Sequence, residues 1–282
     1  MTAKLIKSSL LFAVCLVFTV NLSAQQILTP TELAGTYIAG HNFGGSSINL
    51  QADGTYSRES GACTMATKES GQYLLSEGII RFTMLKYTGV QFSDQSKEID
   101  LFDSEARKEF FDYRDDEPVE PLKTESTLLA IRWGERVYLI NESDLRDFSN
   151  AINLGLEPRT ELRSEPYYGS FFLRESDLKK SARGKPSLPA EWQTVLLSKP
   201  VVAKIVSIEI QDRIRIATVN RGSEDGLKVG MKLLVKEQEP SPWSSVGEIL
   251  SVEKRTANVQ VHDSKVGEIL SSKYVSSNSR YR

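Results

Sequence analysis

Between residues 201 and 261 the chain alternates short apolar runs with glycine-bearing turns, and no other feature constrains its fold as tightly. Val201 to Ile210 and Arg213 to Val219 read as two strands. Asn220-Arg221-Gly222-Ser223-Glu224-Asp225-Gly226 then turns the chain into an alternating run from Leu227 to Val235. Ile249 to Val252 adds a fourth strand, and Ala257, Val259 and Val261 add a fifth with polar Asn258 and Gln260 between them. Five or more short strands in about sixty residues predict a closed small barrel, because an open sheet of that size would leave two edges unpaired. The six residues Val246 to Ser251 recur as Val266 to Ser271. Two copies are too few for a repeat array, so the second reads as one more barrel strand.

The positions Asn220, Gly222, Gly226, Leu227, Gly230, Val246, Gly247 and Ile249 resemble the SH3-like or translation-barrel-like modules of bacterial envelope proteins, such as the C-terminal domain of a flagellar assembly protein. The resemblance implies an architecture for residues 200–273, with glycines where a tight barrel bends. It implies no catalytic residue. Residues 274–282 then read as a flexible tail.

The amino-terminal half is also strand-rich. Gly35-Thr36-Tyr37, Asp53-Gly54-Thr55-Tyr56 and Gly71-Gln72-Tyr73 each join a turn former to an aromatic strand start. Asp53-Gly54 and Ser76-Glu77-Gly78 supply positive-φ positions for hairpins. This spacing resembles the lipocalin-like domains of small secreted bacterial proteins, which implies a β-domain able to enclose a ligand. Gly134-Glu135 between Thr127–Trp133 and Arg136–Ile140 predicts a two-residue hairpin. Leu145, Phe148, Ala151 and Ile152 then trace one short amphipathic helix, with Ser143 as its cap and Gly155 past its end. Residues 97–126, rich in Asp and Glu and containing Pro118 and Pro121, read as an exposed acidic insertion. The expected fold is mainly β: an N-terminal antiparallel barrel or sandwich with a short helix over 25–199, and a C-terminal SH3-like barrel over 200–273.

Residues 1–24 carry Lys4 and Lys7, an apolar run from Leu10 to Val20, and Leu22-Ser23-Ala24 before Gln25. This is the order of a signal peptide, which predicts export to the periplasm or beyond and no transmembrane span in the mature chain. Cys15 lies inside the apolar run rather than at a cleavage point, so lipidation is not expected. Cleavage would leave Cys63 alone, which excludes an intramolecular disulfide.

Thirty-five Lys and Arg against 37 Asp and Glu give a net charge of −2 without a basic tract. Nucleic acid is therefore excluded as a partner. Chemistry finds little footing. His41 and His262 are the only imidazoles and fall in different predicted modules. Neither a Gly-x-Ser-x-Gly elbow nor a zinc-ligand spacing with Cys63 accompanies them. Gly40 to Gly45 lacks the Lys-Ser/Thr of a phosphate loop and reads as a flexible inter-strand loop. Asp112, Asp115, Asp116 and Glu117 lack the ligand spacing of a calcium loop and read as solvated charge. Asn141-Glu142-Ser143 matches a glycan acceptor but sits where a helix starts. No cofactor, metal or catalytic residue is expected.

Aromatics remain. Trp133 and Trp192 read as core residues. Trp243, in Glu239-Pro240-Ser241-Pro242-Trp243-Ser244-Ser245, is the candidate partner contact, since two prolines stiffen the loop that presents it; the alternative is that its ring folds back to cap the open end of the barrel. The expectation is a non-catalytic exported envelope protein that binds another envelope protein or polymer. The alternatives are a carrier of a small apolar ligand in the N-terminal domain and a hydrolase without a recognisable motif.

Overall fold

The computed structural model describes residues 28–41, 44–62, 65–91, 97–111, 124–156, 158, 171–211, 214–236, 246–261 and 274–277. The fold is mainly β and contains two rings of strands. The first uses β1 (Gly35–His41), β2 (Gly44–Leu50), β3 (Thr55–Ala62), β4 (Met65–Ser76), β5 (Ile79–Gln91), β7 (Glu125–Trp133), β8 (Arg136–Ile140) and β9 (Phe172–Arg174). Each pairs antiparallel with the next, and β9 returns to pair with β1. This is an eight-stranded up-and-down barrel, which decides between the two N-terminal architectures expected.

Local chemistry sets its corners. Glu77 and Gly78 both have positive φ, at 53° and 80°, as a tight two-residue hairpin requires. Trp133 pairs with Arg136 across Gly134-Glu135, so that hairpin also forms as its sequence predicts. Gly40 pairs with Gly45 and His41 with Gly44. Four of the six residues expected in a flexible loop thus end a ladder, their backbone groups meeting partners, while Asn42 and Phe43 lie outside the described residues.

Inside the ring pack Tyr37, Ile48, Leu50, Tyr56, Ile80, Phe82, Leu128, Val137, Leu139 and Phe172. The short helix α1 (Pro30–Leu33) closes this end. Thr29 and Glu32 form its capping box, Leu33 is buried, and the Tyr37 hydroxyl donates to the Leu33 carbonyl at 2.8 Å.

Part of the expected acidic insertion forms regular structure. β6 (Lys97–Asp100) pairs with the far half of β5, and α2 (Ser104–Phe111) follows. Ile99, Leu101 and Phe110 are buried together, with Tyr87 and Ala106 against them. Three apolar side chains spaced among charges bury one face, and the charges keep the other in water. Asp112 and Asp115 to Glu117 lie outside the described residues.

The second ring runs through β10 (Val202–Gln211), β11 (Ile214–Val219), β14 (Ala257–Val261), β13 (Val246–Val252), β12 (Lys232–Lys236) and β15 (Tyr274–Ser276) back to β10. Ala217, Val219, Leu233, Ile249 and Val259 fill it. A Cβ on Gly222 would lie 2.3 Å from the Glu253 carbonyl oxygen, so that turn accepts only glycine. β15 corrects the expected tail at 274–282 over its first residues, and 278–282 lie outside the described residues. Tyr274, Val275 and Ser276 pair with both β10 and β12 and close the ring, and the Ser277 hydroxyl accepts from the Val201 amide at 2.6 Å. Three residues are too few to show alternation, so composition hid the strand. The repeat at 266–271 lies outside the described residues.

Helix α3 (Leu145–Asn153) forms where its apolar spacing predicts, but Asp144 precedes it and no side chain, Ser143 included, caps it. One face of α3 covers the outside of the first barrel through Leu145 and Phe148, against Ile131, Trp133, Tyr138 and Leu173. β8 is consequently buried on both faces. The other face meets the second ring: Ala151 and Leu154 pack on Leu234. Asn150 donates to the Gly230 carbonyl at 3.2 Å and accepts from the Lys232 amide at 3.2 Å. Asn153 likewise holds the Val195 carbonyl and the Leu197 amide, and both of those residues pack against the second core.

That core therefore starts before Pro200. A fragment from Thr194 onward is expected to exceed one from Val201 onward by about 1–3 kcal/mol of stability, from partial burial of Val195 and Leu197. Urea midpoints of the two fragments check this, and equal midpoints would show that the two side chains add nothing.

Candidate functional site

Alternation along the barrel strands places Tyr56, Arg58 and Ser60 of β3 on the inner face, and Thr67 and Glu69 of β4 beside them. Above the apolar layer Arg58, Ser60, Thr67 and Glu69, with Tyr87 of β5, line a cavity of about 230 Å³. Arg58 and Glu69 are register partners. Arg58 Nη1 lies 4.0 Å from Glu69 Oε1, and both side chains are half-buried. The guanidinium also stands over the Phe172 ring, 5.6 Å from its centroid, on the opposite wall. The Ser46 and Ser60 hydroxyls bond at 2.7 Å. The cavity thus has a charged floor over an aromatic base, and hydroxyl walls.

Tyr87 reaches the cavity through a β-bulge. Gly71 pairs with Met84 and Ser70 with Lys86, which leaves Leu85 unpaired and 66% exposed. Unbroken alternation from Phe82 and Met84 would turn Tyr87 outward; the extra residue turns it in. Gly71 makes the bulge possible, since a Cβ there would lie 2.0 Å from the Thr83 carbonyl oxygen. Tyr87 also packs in the cluster of Ile99, Leu101 and Phe110. A Cβ on Gly89 would meet the Phe110 ring at 2.6 Å, so α2 sits directly against the barrel rim.

The floor is polar yet incompletely bonded. Arg58 Nε is buried and makes no hydrogen bond among the described residues. Burial, with the Glu69 carboxylate second, pushes the Tyr56 phenol far above its ordinary value. Tyr56 is therefore a neutral hydroxyl at any physiological pH.

Of the residues singled out in the sequence, Trp133, Trp192 and His41 are described, and none of them lines the cavity. Trp133 is buried and donates its indole N–H to the Gly184 carbonyl at 2.9 Å, and Trp192 packs against the same core, as expected of structural aromatics. His41 ends β1. Trp243, Cys63 and His262 lie outside the described residues. Among the described residues no group of His, Cys, Asp or Glu is placed to hold a metal, and no helix is long and apolar enough to cross a membrane. The cavity residues went unnoticed because their signal is one of register: Arg58 and Glu69 look like any exposed strand charges until Tyr56 fixes which face is inside.

No protein-family model matches the chain, and no curated protein or solved structure matches it significantly.

Proposed function

We propose that the protein is an exported, non-catalytic binding protein of a bacterial envelope, periplasmic or extracellular, and that the mouth of the first barrel is its binding site. Export rests on the order of Lys4, Lys7, the apolar run and Leu22-Ser23-Ala24. Binding is supported by one observation above all: a half-buried Arg58–Glu69 pair faces a cavity inside a closed barrel. With side chains 32% and 19% exposed the pair is only partly out of water, where an ion pair is worth about 0–1 kcal/mol, so it adds little to stability. Barrel lumens of this strand number hold side chains or one small ligand. The lining favours a polar ligand over the apolar one first considered.

Native mass spectrometry of the protein purified from a bacterial host tests the reading. The expected result is a chain starting at Gln25 that retains a small molecule, and a Thr67→Trp variant, which fills the cavity, that retains none while keeping its circular dichroism. A folded Thr67→Trp protein with the same retained mass would place binding elsewhere.

A further inference from the structure

We propose that the cavity takes a small zwitterion, an α-amino acid or a molecule of that charge pattern, with its carboxylate on Arg58 and its ammonium on Glu69. The inference rests on the binding reading above and specifies its ligand. At 4.0 Å the Arg58–Glu69 contact is an ion pair without a hydrogen bond. Each group therefore keeps hydrogen-bonding capacity for a third party. Phe172 beneath the guanidinium fixes the height of Arg58 in the lumen, and the direct register of the two residues fixes their spacing.

Charge selects among ligands. The pair sums to zero, so an anion gains from Arg58 what it loses to Glu69, and a cation does the reverse; at similar distances the two terms nearly cancel. A molecule carrying both charges gains from both when it lies antiparallel to the pair. An α-amino acid holds its ammonium and carboxylate on one carbon, a span of the same few ångströms as the Arg58–Glu69 gap. A neutral polyol can hydrogen-bond to both ionised side chains but carries no charge of its own, so it gains no ion-pair attraction from either. Volume then limits size: about 230 Å³ falls below the range of about 300–1,000 Å³ typical of drug-sized ligands. The hydroxyls of Ser60 and Thr67 suit a short polar side chain.

Calorimetry with four matched probes tests this on the full chain: L-threonine, 3-hydroxybutyrate (threonine without its ammonium), 1-amino-2-propanol (threonine without its carboxylate) and glycerol. L-Threonine is expected to bind at least about tenfold more tightly than any of the others, the loss of one charge-assisted hydrogen bond. Arg58→Met should abolish the preference for L-threonine over 1-amino-2-propanol, and Glu69→Gln its preference over 3-hydroxybutyrate. Arg58→Lys, which keeps the charge, should keep the preference even if Arg58→Met folds poorly. Glycerol or either truncated probe binding as tightly as L-threonine overturns the zwitterion assignment, as does no binding of L-threonine at all. In each of those cases the loss of retained mass in Thr67→Trp would still support the cavity as a binding site, and its persistence would remove that reading too.

Discussion

Asp177→Ala is expected to destabilise the first barrel by about 3–5 kcal/mol, the range for breaking a buried charge network by removing one partner. The reason lies in how the barrel closes. β9 has three residues and meets β1 through only Tyr37–Arg174 and Ile38–Leu173. So short a seam needs side chains to hold it. Buried Asp177 accepts from Arg174 Nε at 2.9 Å, from Lys180 Nζ at 2.6 Å and from the Val137 amide at 3.0 Å. Arg174 in turn donates from Nη1 to the Glu32 carbonyl at 2.7 Å, tying β9 to α1 across the seam. Removing the carboxylate leaves the Val137 amide and Arg174 Nε without their acceptor, so the cost exceeds that of one hydrogen bond. Urea unfolding followed by circular dichroism checks it; a loss under about 1 kcal/mol would mean that the backbone pairs alone close the ring.

The same carboxylate gives the seam a pH dependence. Burial raises the Asp177 carboxyl, but hydrogen bonds from Lys180 and Arg174 and the Arg174 charge outweigh that and hold it below its ordinary value. A depressed folded value means that the contribution is full above the unfolded value, about 3.9, and is lost as pH falls through the folded one. The gap in stability between the native protein and Asp177→Ala should therefore narrow only in acid, below about pH 4.

Much of the fold was legible because it depends on local rules. Glu77-Gly78 and Gly134-Glu135 turn where positive φ is needed, and Leu145, Phe148 and Ala151 show helical spacing that α3 obeys. Elements made by long-range contact were not legible. β15 is a strand only because β10 and β12 present edges to it. β6 and α2 order only because Gly89 leaves room for Phe110. The cavity shows the same limit most sharply. Its charges are ordinary in composition and become a site through closure, which puts Arg58 over Phe172, 114 positions later in a different hairpin. A single-residue bulge then reverses the facing of Tyr87, and no short-window pattern reports it.

Phe148→Ala carries the second large expectation, about 3–5 kcal/mol for truncating a fully buried phenylalanine. Phe148 is the centre of an aromatic cluster outside the barrel, edge-on to Tyr138 at 5.1 Å, Phe171 at 5.3 Å and Trp133 at 6.2 Å between ring centroids. Each such pair is worth about 0.5–1.5 kcal/mol beyond its area, which favours the upper part of the range. Its position on α3 extends the effect. The same helix presents Asn150 to Gly230 and Lys232, and Ala151 and Leu154 to Leu234. A loosened α3 therefore releases the second ring from the first while leaving that ring's own core intact. The native protein should unfold in one transition, and Phe148→Ala in two, with the first barrel melting earlier and the second near the midpoint of the fragment from Thr194. Calorimetry reads both features. A single transition lowered by less than about 1 kcal/mol would show that the cluster repacks around the missing ring and that α3 does not couple the two barrels.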